Sequence, residues 1–156
     1  MTTIQLVRHA KARNRLEWEE PDELRPLTKR GRREADAIAT RLLGDPPDRL
    51  VSSPSLRCIQ TLLPLSEALD LPIETSDDLA EGAGGERALD LLLALAGAES
   101  VACCTHGDVV YEVARLVELG GVRLDGPAAV SVASAWELSI VDGRVGAARF
   151  VPQPER

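Results

Sequence analysis

The chain has 156 residues, of which 44% are hydrophobic and 28% are charged, and its formal net charge is −7. These values are typical of one globular domain spanning residues 1–156, and no stretch reaches the roughly 18 apolar residues of a membrane span. Because the chain is acidic and its first residues lack a secretion signal, we expect a cytoplasmic protein that binds neither nucleic acid nor membranes.

Predicted strands and helices alternate along most of the chain. We predict strands at residues 4–7, 49–51, 73–75, 101–105, 135–141 and 145–151, and helices at residues 29–43, 56–69, 86–96 and 109–119. Thr28 is a suitable N-cap of the first helix, and Ser53 or Ser55 is a suitable N-cap of the second. Pro64 predicts a kink or a break within the second helix. Asp142-Gly143 predicts a tight turn between the last two strands.

This alternation predicts an α/β fold. We expect a three-layer α/β/α sandwich whose central sheet is mostly parallel, with an antiparallel C-terminal hairpin. Ligands of such sheets bind beyond the carboxyl ends of the strands. Polar clusters follow four of the predicted strands, namely Arg8-His9, Ser52-Ser53-Pro54, Glu81 and His106-Gly107-Asp108. We therefore expect these clusters, which include both histidines of the chain, to meet at one edge of the sheet.

Arg8 and Arg57 give this edge the character of a phosphate site. A guanidinium group stays protonated and donates two parallel hydrogen bonds to an oxyanion, so two arginines can hold one phosphoryl group from two sides. The helix that begins near Ser55 adds its positive dipole end. A neutral imidazole can attack phosphorus if its other nitrogen donates to a fixed acceptor, and on this chemistry either His9 or His106 qualifies.

The charge is unevenly distributed along the chain. Residues 8–33 contain nine basic and five acidic residues, so this segment carries +4 and the remainder carries −11. Such a segment can draw a small polyanion to one place, although residues 29–33 equally fit a solvated helix face. We predict that Lys11, Arg13 and Arg15 bind a substrate with charge beyond the transferred phosphoryl group, such as a nucleotide polyphosphate or a phosphoprotein.

Five short motifs occur in order along the chain. They are LVRHA at residues 6–10, PLTKRGRREA at residues 26–35, SSPSLRCIQT at residues 52–61, LAEG at residues 79–82 and THG at residues 105–107. Together they resemble the motifs of the histidine phosphatase superfamily, also called phosphoglycerate mutase-like. The resemblance implies that His9 is a nucleophile that forms a covalent phosphohistidine, and that Arg8, Arg57 and His106 bind the phosphoryl group. It also implies Glu81 as a candidate proton donor, with no metal and no cofactor.

The chain departs from the family pattern at three positions near the nucleophile. Ala10 stands where the family usually has glycine, and Ala12 and Arg15 stand where Ser or Thr and Asn are common. The Arg-His-Ala form and the short length are more similar to the compact SixA-type phosphohistidine phosphatases, and to the phosphatase domains appended to some Nudix hydrolases, than to glycolytic mutases. We therefore do not expect mutase activity.

The identity of the acid depends on the substrate. An alkoxide leaving group must be protonated by a carboxyl group of raised pKa, whereas phosphohistidine, an acyl phosphate or a nucleotide β-phosphate leaves more easily. Asp77, Asp78 and Glu86 are alternatives to Glu81. A phosphohistidine protein, a nucleotide polyphosphate and a sugar phosphate all stay open as substrates.

Two other classes of function fit part of the pattern. A metal hydrolase could use His9, His106 and Asp108, but Arg8 and Arg57 would then place positive charge beside the metal, and the sequence has no His-x-His or Asp-rich cluster. A non-catalytic binding or regulatory module on the same fold is the second alternative, because a fold does not guarantee a function.

Overall fold

The computed structural model describes residues 1–154. The strands are β1 (Thr2–Arg8), β2 (Arg49–Ser52), β3 (Ile73–Thr75), β4 (Ser100–Thr105), β5 (Ala135–Val141) and β6 (Arg144–Val151). The helices are α1 (Lys29–Leu42), α2 (Leu56–Leu69), α3 (Gly85–Ala94) and α4 (Gly107–Leu119). Short 3₁₀ turns occupy Arg15–Glu17, Asp22–Leu24 and Asp77–Leu79. In the described range, no helix is long and apolar enough to cross a membrane.

The six strands form one mixed sheet in the order β3-β2-β4-β1-β5-β6. The pairs β3-β2, β2-β4 and β4-β1 are parallel, whereas β5 is antiparallel to both β1 and β6. Between β5 and β6, Asp142 has a φ of 52° and Gly143 a φ of 76°, as a two-residue hairpin turn requires. The prediction of a mostly parallel sheet with an antiparallel C-terminal hairpin is confirmed.

The helices cover both faces of the sheet. Neighbouring residues of β1 point to opposite faces, because side chains alternate along a strand. Leu6 packs in the core that includes Val113 of α4, whereas Val7 packs in the core that includes Ile38 of α1 and Leu62 of α2. Helices α1 and α2 therefore lie on one face and α3 and α4 on the other, which confirms the three-layer sandwich.

Both predicted helix starts are observed. The Thr28 hydroxyl accepts a hydrogen bond from the Gly31 N–H, which caps α1. Helix α2 begins after Ser55, whose own side chain makes no capping bond. Instead, the Ser53 hydroxyl accepts a hydrogen bond from the Ser55 N–H at 3.3 Å. Each of the two serines predicted as alternatives thus contributes to the start of α2.

The prediction of a break at Pro64 is wrong. Helix α2 continues from Leu56 to Leu69 with Pro64 in its interior. A proline inside a helix removes the hydrogen bond that its own N–H would donate, and its ring crowds the carbonyl of the residue four positions earlier. Leu62 and Leu65, on either side of the proline, are fully buried, and their packing offsets this loss.

Candidate active site

His9 lies directly beyond the carboxyl end of β1 and is 9% exposed. Its Nδ1 atom lies 2.8 Å from the carbonyl oxygen of Ala10. A carbonyl oxygen only accepts hydrogen bonds, so Nδ1 carries the proton and Nε2 keeps a lone pair. This is the fixed backbone acceptor that a histidine nucleophile requires.

The surroundings of His9 keep its imidazole neutral. Burial lowers the pKa of His9 most, and the nearby His106, Arg57 and Arg8 lower it further, against the opposing hydrogen bond to Ala10. The pKa of His9 is about 3 as a result. The Nε2 lone pair is therefore available at neutral pH.

Two side chains hold the backbone that follows His9. The Ala10 N–H donates to the Thr61 hydroxyl of α2 at 3.0 Å, and that hydroxyl donates in turn to the Arg57 carbonyl oxygen. The Lys11 N–H donates to the carboxylate of Glu34 in α1 at 2.9 Å. Sequence reasoning did not find Glu34, although a carboxylate on the otherwise apolar buried face of α1 is a signal of such a role.

Arg57 is fully buried at the start of α2 and has two acidic neighbours. Its guanidinium donates to both the backbone carbonyl and the carboxylate of Asp22, each at 2.9 Å. The same group lies 3.4 Å from the Glu81 carboxylate and 3.4 Å from Nδ1 of His106. Asp22 was not predicted as a site residue, because its contact with Arg57 joins positions far apart in sequence.

His106, which follows β4, faces His9 across the site. The two imidazole ring centroids are 5.5 Å apart in an edge-to-face arrangement. The Nε2 atom of His106 lies 2.9 Å from the Ser53 hydroxyl oxygen, which fixes the ring. The carboxyl ends of β1, β2 and β4 therefore bring the two histidines and Arg57 together, as expected.

Arg8 lies near these residues, beside the N-terminus of α4. Its guanidinium lies against the backbone of Gly107, where an added Cβ would be only 2.9 Å from the Arg8 Cζ atom. One nitrogen donates to the Val130 carbonyl oxygen at 2.6 Å. The Nε–H groups of Arg8 and Arg57 are buried without a hydrogen-bond partner in residues 1–154. Two guanidinium nitrogens of Arg41 also lack a partner in this range, but of these three arginines only Arg8 lines the cavity over His9, where its guanidinium can meet an oxyanion.

Glu81 lies at the edge of the site formed by Arg8, His9, Arg57 and His106. The Thr105 hydroxyl donates to the Leu79 carbonyl oxygen at 2.6 Å, and the Asp108 carboxylate accepts a hydrogen bond from the Gly82 N–H at 2.9 Å. These two contacts fix the backbone on both sides of Glu81.

The Glu81 carboxylate is ionised in the ligand-free protein. It accepts two hydrogen bonds from Arg15, at 2.8 Å and 3.1 Å. Burial alone would raise the pKa of Glu81, but Arg15, with smaller contributions from His106 and Arg57, lowers it. Glu81 therefore lines the cavity over His9 but lacks the raised pKa of a general acid.

The alternatives to Glu81 lie elsewhere. The Asp78 carboxylate accepts hydrogen bonds from Arg87 at 2.8 Å and 3.0 Å, and Asp77 is exposed. Glu86 lines a separate cavity between α3 and α4. None of the three lines the cavity that contains His9.

A cavity of about 730 Å³ opens over His9. Its lining includes Arg8, Glu81 and all three predicted substrate-binding residues, which are Lys11, Arg13 and Arg15. In residues 1–154 no three His, Cys, Asp or Glu side chains are grouped so that they could hold a metal ion. The cavity therefore has a basic wall and also exposes His9 and Arg8, whereas Arg57 and His106 are buried next to it.

The fold and this site define a class of protein: a three-layer α/β protein with an oxyanion site of paired arginines and histidines at the carboxyl edge of its sheet. Residues 4–88 match the family model described as histidine phosphatase superfamily (branch 1). The chain belongs to the histidine phosphatase superfamily, as its motifs predicted.

Individual relatives match nearly the whole chain. An 8-oxo-(d)GTP phosphatase of Mycolicibacterium smegmatis is 32% identical over 158 residues, which is 98% of this chain but 49% of that protein. This chain thus spans about half the length of that relative. The structure of the protein histidine phosphatase SixA complexed with tungstate is 26% identical, with a TM-score of 0.75 over 99% of this chain and 97% of the other.

A more distant structure shows the same fold. A mycobacterial glucosyl-3-phosphoglycerate phosphatase is 17% identical, with a TM-score of 0.71 over 99% of each chain. The fold is therefore shared by phosphatases with different names.

Proposed function

We propose that this chain is a phosphatase that transfers a phosphoryl group from its substrate to Nε2 of His9 and then to water. The observation that carries this proposal is the fixed proton on Nδ1 of His9, which leaves the Nε2 lone pair beside Arg8, Arg57 and His106. The guanidinium of Arg8, which lines the cavity beside His9, supplies donors for the phosphoryl oxygens, and the buried Arg57 adds positive charge.

In the first step, the Nε2 lone pair attacks phosphorus and an N–P bond forms. The bond between phosphorus and the leaving oxygen breaks, and its electron pair stays with that oxygen. Arg8, Arg57 and His106 stabilise the charge on the phosphoryl oxygens. The Ala10 carbonyl keeps the Nδ1 proton in place and stabilises the positive imidazole ring of the intermediate.

In the second step, water attacks phosphorus and the N–P bond breaks. The electron pair of that bond returns to Nε2, and inorganic phosphate forms. The ionised Glu81 carboxylate is the base that takes the proton of the water.

We further propose a nucleotide polyphosphate as the substrate. A phosphoanhydride leaving group needs little protonation, which suits a Glu81 that is ionised in the free protein. The basic wall of Lys11, Arg13 and Arg15 suits a chain of phosphates. The Mycolicibacterium smegmatis relative, named for an 8-oxo nucleoside triphosphate, supports the same class. Similarity to SixA supports a phosphohistidine protein as the second candidate, since phosphohistidine also leaves easily.

The intermediate can be trapped directly. A reaction with γ-³²P-labelled GTP that is quenched in alkali should leave label on the protein, and acid should remove it, because a phosphohistidine is stable in alkali and labile in acid. His9→Ala should prevent labelling and lower kcat/KM for p-nitrophenyl phosphate by about a thousandfold or more, as loss of a nucleophile does.

Other results would contradict this mechanism. A label that survives acid but not alkali would indicate an acyl phosphate on a carboxylate. Undiminished activity of the His9→Ala protein would exclude His9 as the nucleophile. A folded wild-type protein that is inactive on all phosphorylated substrates would favour the non-catalytic alternative.

A further inference from the structure

A second, smaller cavity opens beside the one that contains His9. It has a volume of about 310 Å³ and is lined by Arg15, Trp18, Glu20, Asp22 and Glu81. Arg15 and Glu81 also line the larger cavity, so the two spaces adjoin. Ligand pockets commonly have volumes of about 300–1,000 Å³, so this side cavity is large enough for one planar ring.

Trp18 provides a fixed aromatic wall for the side cavity. Its indole N–H donates to the Pro21 carbonyl oxygen at 3.0 Å. The guanidinium carbon of Arg13 lies 5.5 Å from the centre of the ring. Arg13 lines only the larger cavity and Trp18 lines only the side cavity. The indole therefore lies between Arg13 and the side cavity, and its ring is held in position before any ligand arrives.

We propose that the side cavity binds the base of a nucleotide whose phosphates occupy the larger cavity. The base stacks on Trp18, and Arg15, which lines both spaces, contacts the first phosphates of the chain. The terminal phosphoryl group then lies at His9. This inference rests on the proposed phosphatase function, and it adds the recognition of a base that phosphate contacts alone cannot provide.

Glu20 gives the subsite a preference among bases. Within residues 1–154 its carboxylate makes no hydrogen bond and no ion pair, although it lines the side cavity. A free carboxylate accepts two N–H donors side by side. The edge of guanine offers its ring N–H and its amino group in this arrangement, whereas uracil offers one N–H. We therefore expect guanine to be preferred to uracil.

The kinetic test compares GTP with inorganic tripolyphosphate, which has the same number of phosphates but no base. Trp18→Leu should lower the ratio of kcat/KM for GTP to that for tripolyphosphate by about tenfold or more, because stacking on an aromatic ring contributes strongly to base binding. Tyr111→Leu is the matched control. Tyr111 is an exposed aromatic residue on α4 that lines the cavity between α3 and α4, so its loss should not change the ratio.

Glu20→Gln tests the preference among bases. This substitution should lower the ratio of kcat/KM for GTP to kcat/KM for UTP. The ratio of kcat/KM for UTP to kcat/KM for tripolyphosphate should change little. Equal kcat/KM values of the wild-type enzyme for GTP and UTP would overturn the role of Glu20. An equal effect of Trp18→Leu on kcat/KM for GTP and for tripolyphosphate would overturn the base site in the side cavity.

Fluorescence tests the subsite without catalysis. The chain has two tryptophans, and the other one, Trp136, is 1% exposed in the core. GMP should therefore quench the emission of Trp18, inorganic phosphate should not, and Trp18→Leu should abolish the quenching. Quenching by GMP without hydrolysis of GTP would contradict the proposed function and leave the base site supported. Hydrolysis of GTP with no quenching by GMP would overturn the base site alone.

Discussion

Arginine neighbours set the charge of the acidic residues around His9. Burial alone would raise the pKa values of Asp22 and Glu81, but hydrogen bonds and charges from nearby arginines lower both. Arg57 contacts both carboxylates in the ligand-free protein. Under the proposed function, we expect the negative charge of a bound phosphoryl group to raise the pKa of Glu81. Glu81 can then supply a proton to a substrate that needs one.

This coupling predicts how Glu81→Gln depends on the leaving group. We expect kcat/KM for glycerol phosphate to fall by about a hundredfold, the lower end of the usual effect of a general acid, while kcat/KM for p-nitrophenyl phosphate changes little. The nitrophenolate leaving group hardly needs a proton. Glu86→Gln is the matched control, because Glu86 lines a different cavity. Equal losses on both substrates would show that Glu81 acts only through charge or structure.

At the scale of secondary structure, helix α1 packs unusually close to the loop that follows His9. A Cβ added at Gly31 would lie 2.0 Å from the Lys11 carbonyl oxygen, which is far inside a normal contact. The same oxygen accepts a hydrogen bond from the Thr28 N–H at 2.9 Å. Only a glycine lets the first turn of α1 approach this backbone. The glycine of the PLTKRGRREA segment therefore positions the loop that follows His9.

Gly31→Ala should consequently affect stability and activity together. We expect a loss of about 1–3 kcal/mol in the free energy of unfolding, as in other overpacked sites, with a lower kcat/KM for p-nitrophenyl phosphate. Urea unfolding and steady-state kinetics measure the two effects. Gly97→Ala is the control, since a Cβ at Gly97 would meet no atom within 4 Å. If both variants behaved like the wild type, the close approach of α1 would have no functional role.

The whole molecule places a basic cavity in an acidic protein. The net charge is −7, yet Lys11, Arg13 and Arg15 line the cavity over His9. An acidic surface repels polyanions in general, while a local basic wall attracts them to one place. The electric field of the cavity therefore directs polyanionic substrates to the site around His9. Salt screens such a field over a Debye length of about 8 Å at physiological ionic strength.

Substrate capture should thus depend on salt and on the charge of the substrate. Raising the salt concentration should lower kcat/KM for GTP more than for p-nitrophenyl phosphate. Replacing both Arg13 and Arg15 by Gln should flatten the salt dependence for GTP. In the control, Gln replaces both Arg123 and Arg144, which are exposed and do not line the cavity. This control changes the net charge as much as the Arg13 and Arg15 double substitution does. If both double variants showed the same weaker salt dependence of kcat/KM for GTP, net charge rather than the cavity would explain that dependence.

The sequence by itself determined the layered fold and the edge at which the site lies. Periodicity is a local property, and the carboxyl ends of parallel strands meet at one edge whatever the loops do. The sequence alone therefore places Arg8, His9 and His106 together. The break that Pro64 could have caused is not observed, because the burial of its neighbours, which offsets the cost of the proline, is not a local property.

Only the tertiary structure decided how the site works in detail. It placed Nδ1 of His9 against the Ala10 carbonyl oxygen, and it showed that Asp22 and Glu81 share Arg57 and that Trp18 lines a second cavity. These features depend on distances between side chains that are remote in sequence, such as the 35 positions between Arg57 and Asp22. No periodic pattern encodes such distances, because they arise when loops and helices pack against a completed sheet.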